Sequence, residues 1–252
     1  MVKLKDIVDY LDGELDIKSF EDSSNNGLQV ETKKPIKKIG FAVDGCLEVF
    51  EKAKEKSCDL VIVHHGISWN DSLKHITNMN YSRLSYLIKN DIGLYGCHLP
   101  LDAHSKYGNN ITMGKLLGLK KLKKFGDYHG IPIGYGGELE KKLSIDKFAK
   151  LVENKLDTII RIVGHGKDDI KKVAIVSGGG SSSLNEAIRN DYDVLIVGEA
   201  PHNKYHESKE GNINLVLAGH YNTEVFGVKA LMPVLEKKFK VKTEFIDVPT
   251  GF

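Results

Sequence analysis

The chain has 252 residues, 41% of them hydrophobic and 28% charged, with a formal net charge of +2. That balance belongs to an ordinary soluble globular protein with enough apolar residues for a core, and it is too weakly basic to indicate nucleic acid by itself. Three cysteines without CxxC spacing (Cys46, Cys58 and Cys97) argue against a disulfide scaffold and a thiolate zinc site. No signal-peptide core or long apolar window occurs, so a cytoplasmic protein without membrane contact is expected.

Leu4, Ile7, Val8 and Leu11 fall on one face of an N-terminal helix. After a polar stretch, residues 37–43 read as a strand and 47–57 as a helix with Val49, Phe50 and Ala53 inward. Residues 59–63 form a near-continuous apolar strand of the kind a parallel sheet buries on both faces. A helix around 81–90 leads to a strand at 92–97. This rhythm predicts an α/β fold with a mainly parallel sheet.

The pattern then recurs. Residues 171–176 resemble 37–42 at a displacement of 134, and 193–197 match 59–63 at the same displacement, so Gly198-Glu199 falls where His64-His65 stands. Two related α/β halves are expected, 1–126 and 127–252, with exchange of elements between them allowed. Between the repeated units lie a Gly-rich segment at 130–137 and a helix at 144–156 capped by Ser144. Pro233 interrupts the helical stretch 224–238 and is expected to delay or kink that helix.

Three strand ends finish in metal-ligand chemistry. The strand 59–63 runs into His64-His65-Gly66. His98 follows another strand, with Asp102 four residues later, and His220 follows a third, with Glu224 at the same offset. In open α/β sheets ligands gather beyond the carboxyl ends of the strands, so one edge can present all three clusters. Pro100 is expected to hold Asp102 on a loop, and Asn222 or Thr223 to cap a helix with Glu224 in its first turn. Neutral imidazoles with carboxylates that can bridge suit two divalent ions of Fe, Zn, Mn or Co, a pair able to share and acidify a hydroxide.

Other positions carry weaker signals. His104 lies close to Asp102 and is a candidate for the shell around the metal. His202 and His206, at i, i+4 spacing after Gly198-Glu199, could line the site or lie on the surface. Gly178, Gly179 and Gly180 follow a strand and open a helix, which suits either a phosphate cradle or a tight turn. Cys97 reads as a buried strand thiol, and the lysine runs as solvated faces.

Taken in order, Asn26-Gly27-Leu28-Gln29-Val30, Val63-His64-His65-Gly66, His98-Leu99-Pro100-Leu101-Asp102-Ala103, Gly178-Gly179-Gly180, Val197-Gly198-Glu199 and Ala218-Gly219-His220-Tyr221-Asn222-Thr223-Glu224 resemble the GTP cyclohydrolase 1 type 2 homolog family, also described as Ngg-interacting-factor-three-like. The resemblance spans nearly the whole chain. It implies two similar three-layer α/β domains with mixed, mainly parallel sheets and a dinuclear metal site in the cleft between them. The implied ligands are His64, His65, Asp102, His220 and Glu224, with Glu224 the bridge and His98 a ligand or near neighbour. A homohexameric ring and opening of the GTP imidazole ring by metal-activated water are implied as well. The catalytic residues beyond the metal ligands are not specified. The alternatives are a two-metal phosphoesterase or nuclease, and a non-enzymatic ring that handles metal or nucleic acid.

Overall fold

The computed structural model describes residues 2–252, a mixed α/β protein with two mixed sheets. It divides into two compact units. Unit one holds the residues up to Leu101 together with Gly227–Val248, and unit two holds Asp102–Phe226 together with Pro249–Phe252. Among the described residues no helix is long and apolar enough to cross a membrane.

Unit one begins with α1 (Leu4–Glu14), β1 (Gly27–Val30), β2 (Lys38–Asp44), α2 (Leu47–Glu55), β3 (Leu60–His65), α3 (Asn78–Asn90) and β4 (Gly93–Gly96). Strands β2, β3 and β4 run parallel and adjacent, with β1 antiparallel on the outer side of β4. Leu60, Val61, Ile62 and Val63 are fully buried, as a central parallel strand covered on both faces requires. Val49, Phe50 and Ala53 of α2 are fully buried in the core of this unit, beside Val61, Val63 and Leu94.

The chain passes into unit two within α4 (Leu99–Ala103). It continues through α5 (Asn109–Leu116), β5 (Lys120–Tyr128), β6 (Ile131–Ser144), α6 (Ile145–Leu156), β7 (Arg161–Val163), β8 (Asp169–Val176), α7 (Leu184–Arg189), β9 (Val194–Val197), α8 (Lys204–Glu210) and β10 (Asn214–Leu217). Its sheet has the order β5-β6-β8-β9-β10-β7, with β8, β9 and β10 parallel and the others antiparallel. Phe148, Val152 and Leu156 of α6 pack on Val173, Ile175, Val194 and Ile196. The chain then enters α9 (His220–Phe239) and ends its regular structure in β11 (Lys242–Phe245), which pairs with β2 in unit one.

Several expectations change here. The division is not a single cut at 126/127, because β5 pairs with β6 and β11 returns to the first sheet. Residues 131–137 of the Gly-rich segment form the first half of β6, joined to β5 by a two-residue turn in which His129 and Gly130 both have positive φ. That is the turn geometry a tight hairpin favours. Ser144 stands at the N-cap of α6 but makes no side-chain capping bond. Pro100 does not hold Asp102 on a loop. It occupies the second position of the short helix α4, where a missing N–H costs nothing, and Asp102 lies in that helix. Helix α9 begins at His220, so Asn222 and Thr223 lie inside it, and Pro233 is accommodated within a helix that runs on to Phe239.

Candidate metal centre

In unit one the carboxyl ends of three parallel strands supply the site. Asp44 ends β2, His64 and His65 end β3, and Cys97-His98 follows β4. One ring nitrogen from each of His64, His65 and His98 lies within 4.8 Å of the others, a grouping able to hold a metal ion. Each imidazole is fixed through its Nδ1, which donates to an oxygen. His64 donates to the Cys97 carbonyl (3.0 Å), His65 to Asp44 Oδ1 (2.9 Å) and His98 to Asp22 Oδ1 (3.0 Å). Carbonyl and carboxylate oxygens only accept, so each Nδ1 carries the proton and the Nε2 lone pair is the one available to a metal.

Asp22 is itself buried and tightly held. Burial works against its ionisation. The hydrogen bond and charge of His98, with help from Asn26 and the Ser24 amide, outweigh that and keep its carboxyl at about 2. Asn26 Oδ1 accepts the His98 amide, and Gln29 Oε1 accepts the amide of Ile67, so the Asn26-to-Val30 motif organises both loops that carry the histidines. Trp69 donates its indole N–H to the Gly66 carbonyl and sets its ring edge-on to His98 at 5.0 Å, walling the cluster.

Unit two repeats the plan. Ser177-Gly178 follows β8, Gly198-Glu199 follows β9, and His220 follows β10. His220 Nδ1 donates to Glu199 Oε1 (2.9 Å), and its Nε2 lies 3.2 Å from Glu224 Oε2. The Glu224 hydrogen bond is the main cause that raises the His220 pKa to about 9, against desolvation and with Glu199 adding. Gly178 has φ +57, and a Cβ there would collide with Glu224 Oε1, so only glycine lets the backbone come this close to the donors. Its N–H is donated to Thr223 Oγ1 (3.0 Å). Asp102 and Glu224 are buried at 4% and 2% exposure. Asp102 Oδ1 accepts from Asn109 Nδ2 (2.8 Å) and Ser177 Oγ (2.9 Å), which fixes its direction.

The donor chemistry fits divalent metal: imidazoles aligned through Nδ1, with buried carboxylates beside them. His64 and His65 end β3, whereas His220 opens α9 just after β10 and Glu224 lies one turn further along that helix. His98 stands with His64 and His65, and Asp102 lies among the residues of unit two. His104 serves its own loop. Its Nδ1 accepts the amides of Lys106 and Tyr107, and its ring stacks on Tyr107 at 4.9 Å. Asp22, Asp44 and Trp69 are contributors that motif reading missed, and Glu199, which the repeat placed opposite His65, was given no role toward His220. The usable signal was that Asp44 and Glu199 stand at the ends of strands flanking the histidine strands.

The class of protein is a mixed α/β fold of two mixed sheets that carries a His/Glu donor group able to hold a metal ion. The chain belongs to the Duf34/NIF3 (NGG1p interacting factor 3) family, whose model matches residues 2–251. It is 43% identical over 248 residues to a "GTP cyclohydrolase 1 type 2 homolog" of Pyrococcus abyssi, covering 98% of each chain. Among solved structures it is similar to protein ybgI, described as of unknown function, with TM-score 0.94 and 32% identity over 100% of both chains. It is also similar to TTHA1606 from Thermus thermophilus, with TM-score 0.89 and 37% identity, over 98% of this chain and 99% of the other.

Proposed function

We propose that the chain is a dinuclear divalent-metal hydrolase acting on a nucleotide, with GTP cyclohydrolysis its specific form. The observation that carries this reading is the set of Nδ1-anchored histidines, because a shell that fixes tautomer and ring direction is characteristic of metal-ligating imidazoles. The names of the curated relatives support the substrate class. In this reading His64, His65, Asp102, His220 and Glu224 hold the pair, and His98 is a ligand or near neighbour. A bound divalent pair supplies Lewis acidity and lowers the pKa of water at neutral pH. Glu224 or Asp102 orients the attacking water and relays its proton. His64, with no exposed surface, and Trp69 limit bulk water on the unit-one side.

The test is turnover of GTP by protein loaded with Mn²⁺, Zn²⁺ or Fe²⁺, beside the Glu224→Ala variant. Formate release that depends on metal and on Glu224 supports cyclohydrolysis. Phosphate release instead would shift the reading to a two-metal phosphoesterase, and wild-type turnover that survives metal removal would sink it. The protein is further proposed to act in the cytoplasm as a homohexameric ring. Light scattering should then return about six times the 28.0 kDa chain mass.

A further inference from the structure

Unit two carries a cleft of about 510 Å³ on the outer face of its β10–β7 edge. That volume lies within the range that small-molecule pockets occupy. The floor follows from strand register. Leu215 pairs with Val163 and Leu217 with Arg161, so these four share one face of the sheet. The alternate residues Val216 and Ile162 turn the other way, into the core. The wall is the segment that follows β9 and enters α8, with His202, Tyr205 and His206 at i, i+3 and i+4 on one side.

The lining is cationic and aromatic. It contains Arg161 and Lys204, two histidines and a tyrosine, and no carboxylate. Lys204 is paired with Glu207 at 2.6 Å. Arg161 has no ion-pair partner among the described residues, so it offers a free, permanently charged guanidinium. A second cavity of about 670 Å³ in the same unit has the opposite character, with Glu153 and Asp157 and neither lysine nor arginine in its lining. An anion is therefore drawn to the first cleft and repelled by the second.

We propose that the β7–β10–α8 cleft is a binding site for a flat aromatic ring that carries a phosphate, a mononucleotide. The ring lies on the Leu215/Leu217 floor against Tyr205, and the phosphate is held by the fork of Arg161. The cleft and the metal donors share a loop: Glu199, which holds His220, immediately precedes Ala200 and Pro201 of the lining. The proposal deepens the functional reading and rests on it only for the choice of a nucleotide as the ring-bearing anion.

The experiment is calorimetric titration of the intact chain, kept in chelator so that metal cannot capture phosphate, with GMP, guanosine and inorganic phosphate. GMP is expected to bind at least tenfold more tightly than either fragment. Arg161→Ala should weaken GMP at least tenfold and leave guanosine unchanged, whereas Tyr205→Ala should weaken both. No binding of GMP, or phosphate binding as tightly as GMP, overturns the proposal, as does GMP binding that neither substitution changes. Should Arg161→Ala lose its thermal transition, the paired His202→Ala/His206→Ala variant on exposed positions takes its place with the same criterion for GMP. Absence of any metal-dependent turnover of GTP by the wild type, with GMP binding intact, would count against the hydrolase reading and leave this site standing.

Discussion

Asp44 and His65 are direct partners across the β2–β3 pair, and the Asp44 carboxylate receives the His65 Nδ1 proton at 2.9 Å. The contact sets both the tautomer and the direction of the ring. Removing it should leave the fold intact, since Asp44 lies at a strand end and is part-exposed. Asp44→Ala is expected to weaken divalent-metal affinity roughly 10–100-fold, measured by competition with a chromophoric chelator. An unchanged affinity would show that His65 is oriented by something else.

Asp22 gives a prediction about acid. Its carboxyl sits at about 2 in the folded protein against 3.8 as the ordinary value. A lowered pKa means the stabilisation is complete above the unfolded value and is lost as pH falls from about 4 through about 2. Its size is about 2 kcal/mol. Urea unfolding in chelator of wild type against Asp22→Asn should show that gap at pH 6 and its near-disappearance by pH 2. An equal gap at both ends would refute the linkage.

The sequence made the two trios of parallel strands legible, because fully buried strands leave uninterrupted apolar runs such as Leu60–Val63 and Val194–Val197. It also made the donors legible, since histidines directly after such runs have little packing reason to be there. The antiparallel edge strands β1 and β7 were not legible. β1 has four residues and β7 three, too short to show alternation. Helix α4 was missed because Pro100 reads as a breaker unless the helix is known to start one residue earlier. The roles of Asp22 and Trp69 depend on loops folding back onto His98, a long-range event that no local pattern encodes.

The thiols should separate cleanly. Cys97 has no exposed surface, and burial pushes the Cys58 thiol up to about 11, whereas Cys46 is half-buried. The thiolate is the reacting form, so iodoacetamide at pH 8 should modify Cys46 alone in the folded protein and all three in denaturant. Peptide mass mapping reads the outcome. Rapid labelling of Cys97 would contradict its burial beside His98.

Metal uptake should release protons at neutral pH. With its pKa raised to about 9, His220 is protonated in the metal-free protein at pH 7 and must lose that proton to act as a ligand. Apparent affinity should therefore climb about tenfold per pH unit between pH 7 and 8 and flatten above about 9. In Glu224→Gln the imidazole loses its main anionic partner, and the climb should end nearer pH 7. Calorimetry in buffers of different ionisation enthalpy counts the protons. A pH-independent affinity across this range would exclude His220 as a ligand.

Gly178 offers the sharpest separation of backbone from side-chain effects. Its φ of +57 disfavours any L side chain, and a Cβ would collide with Glu224 Oε1 and lie 2.9 Å from His220 Nε2. Gly178→Ala should thus cost about 1–2 kcal/mol from the left-handed backbone and, separately, displace both donors. Gly179 is the matched control, with φ −76 and nothing within 4 Å of the position an added methyl would take. Thermal melts should show a loss for Gly178→Ala and none for Gly179→Ala. Metal content by elemental analysis should fall only in the former. If Gly178→Ala melts early yet keeps its full metal complement, the close approach of the turn to Glu224 is structural and the carboxylate is not a ligand.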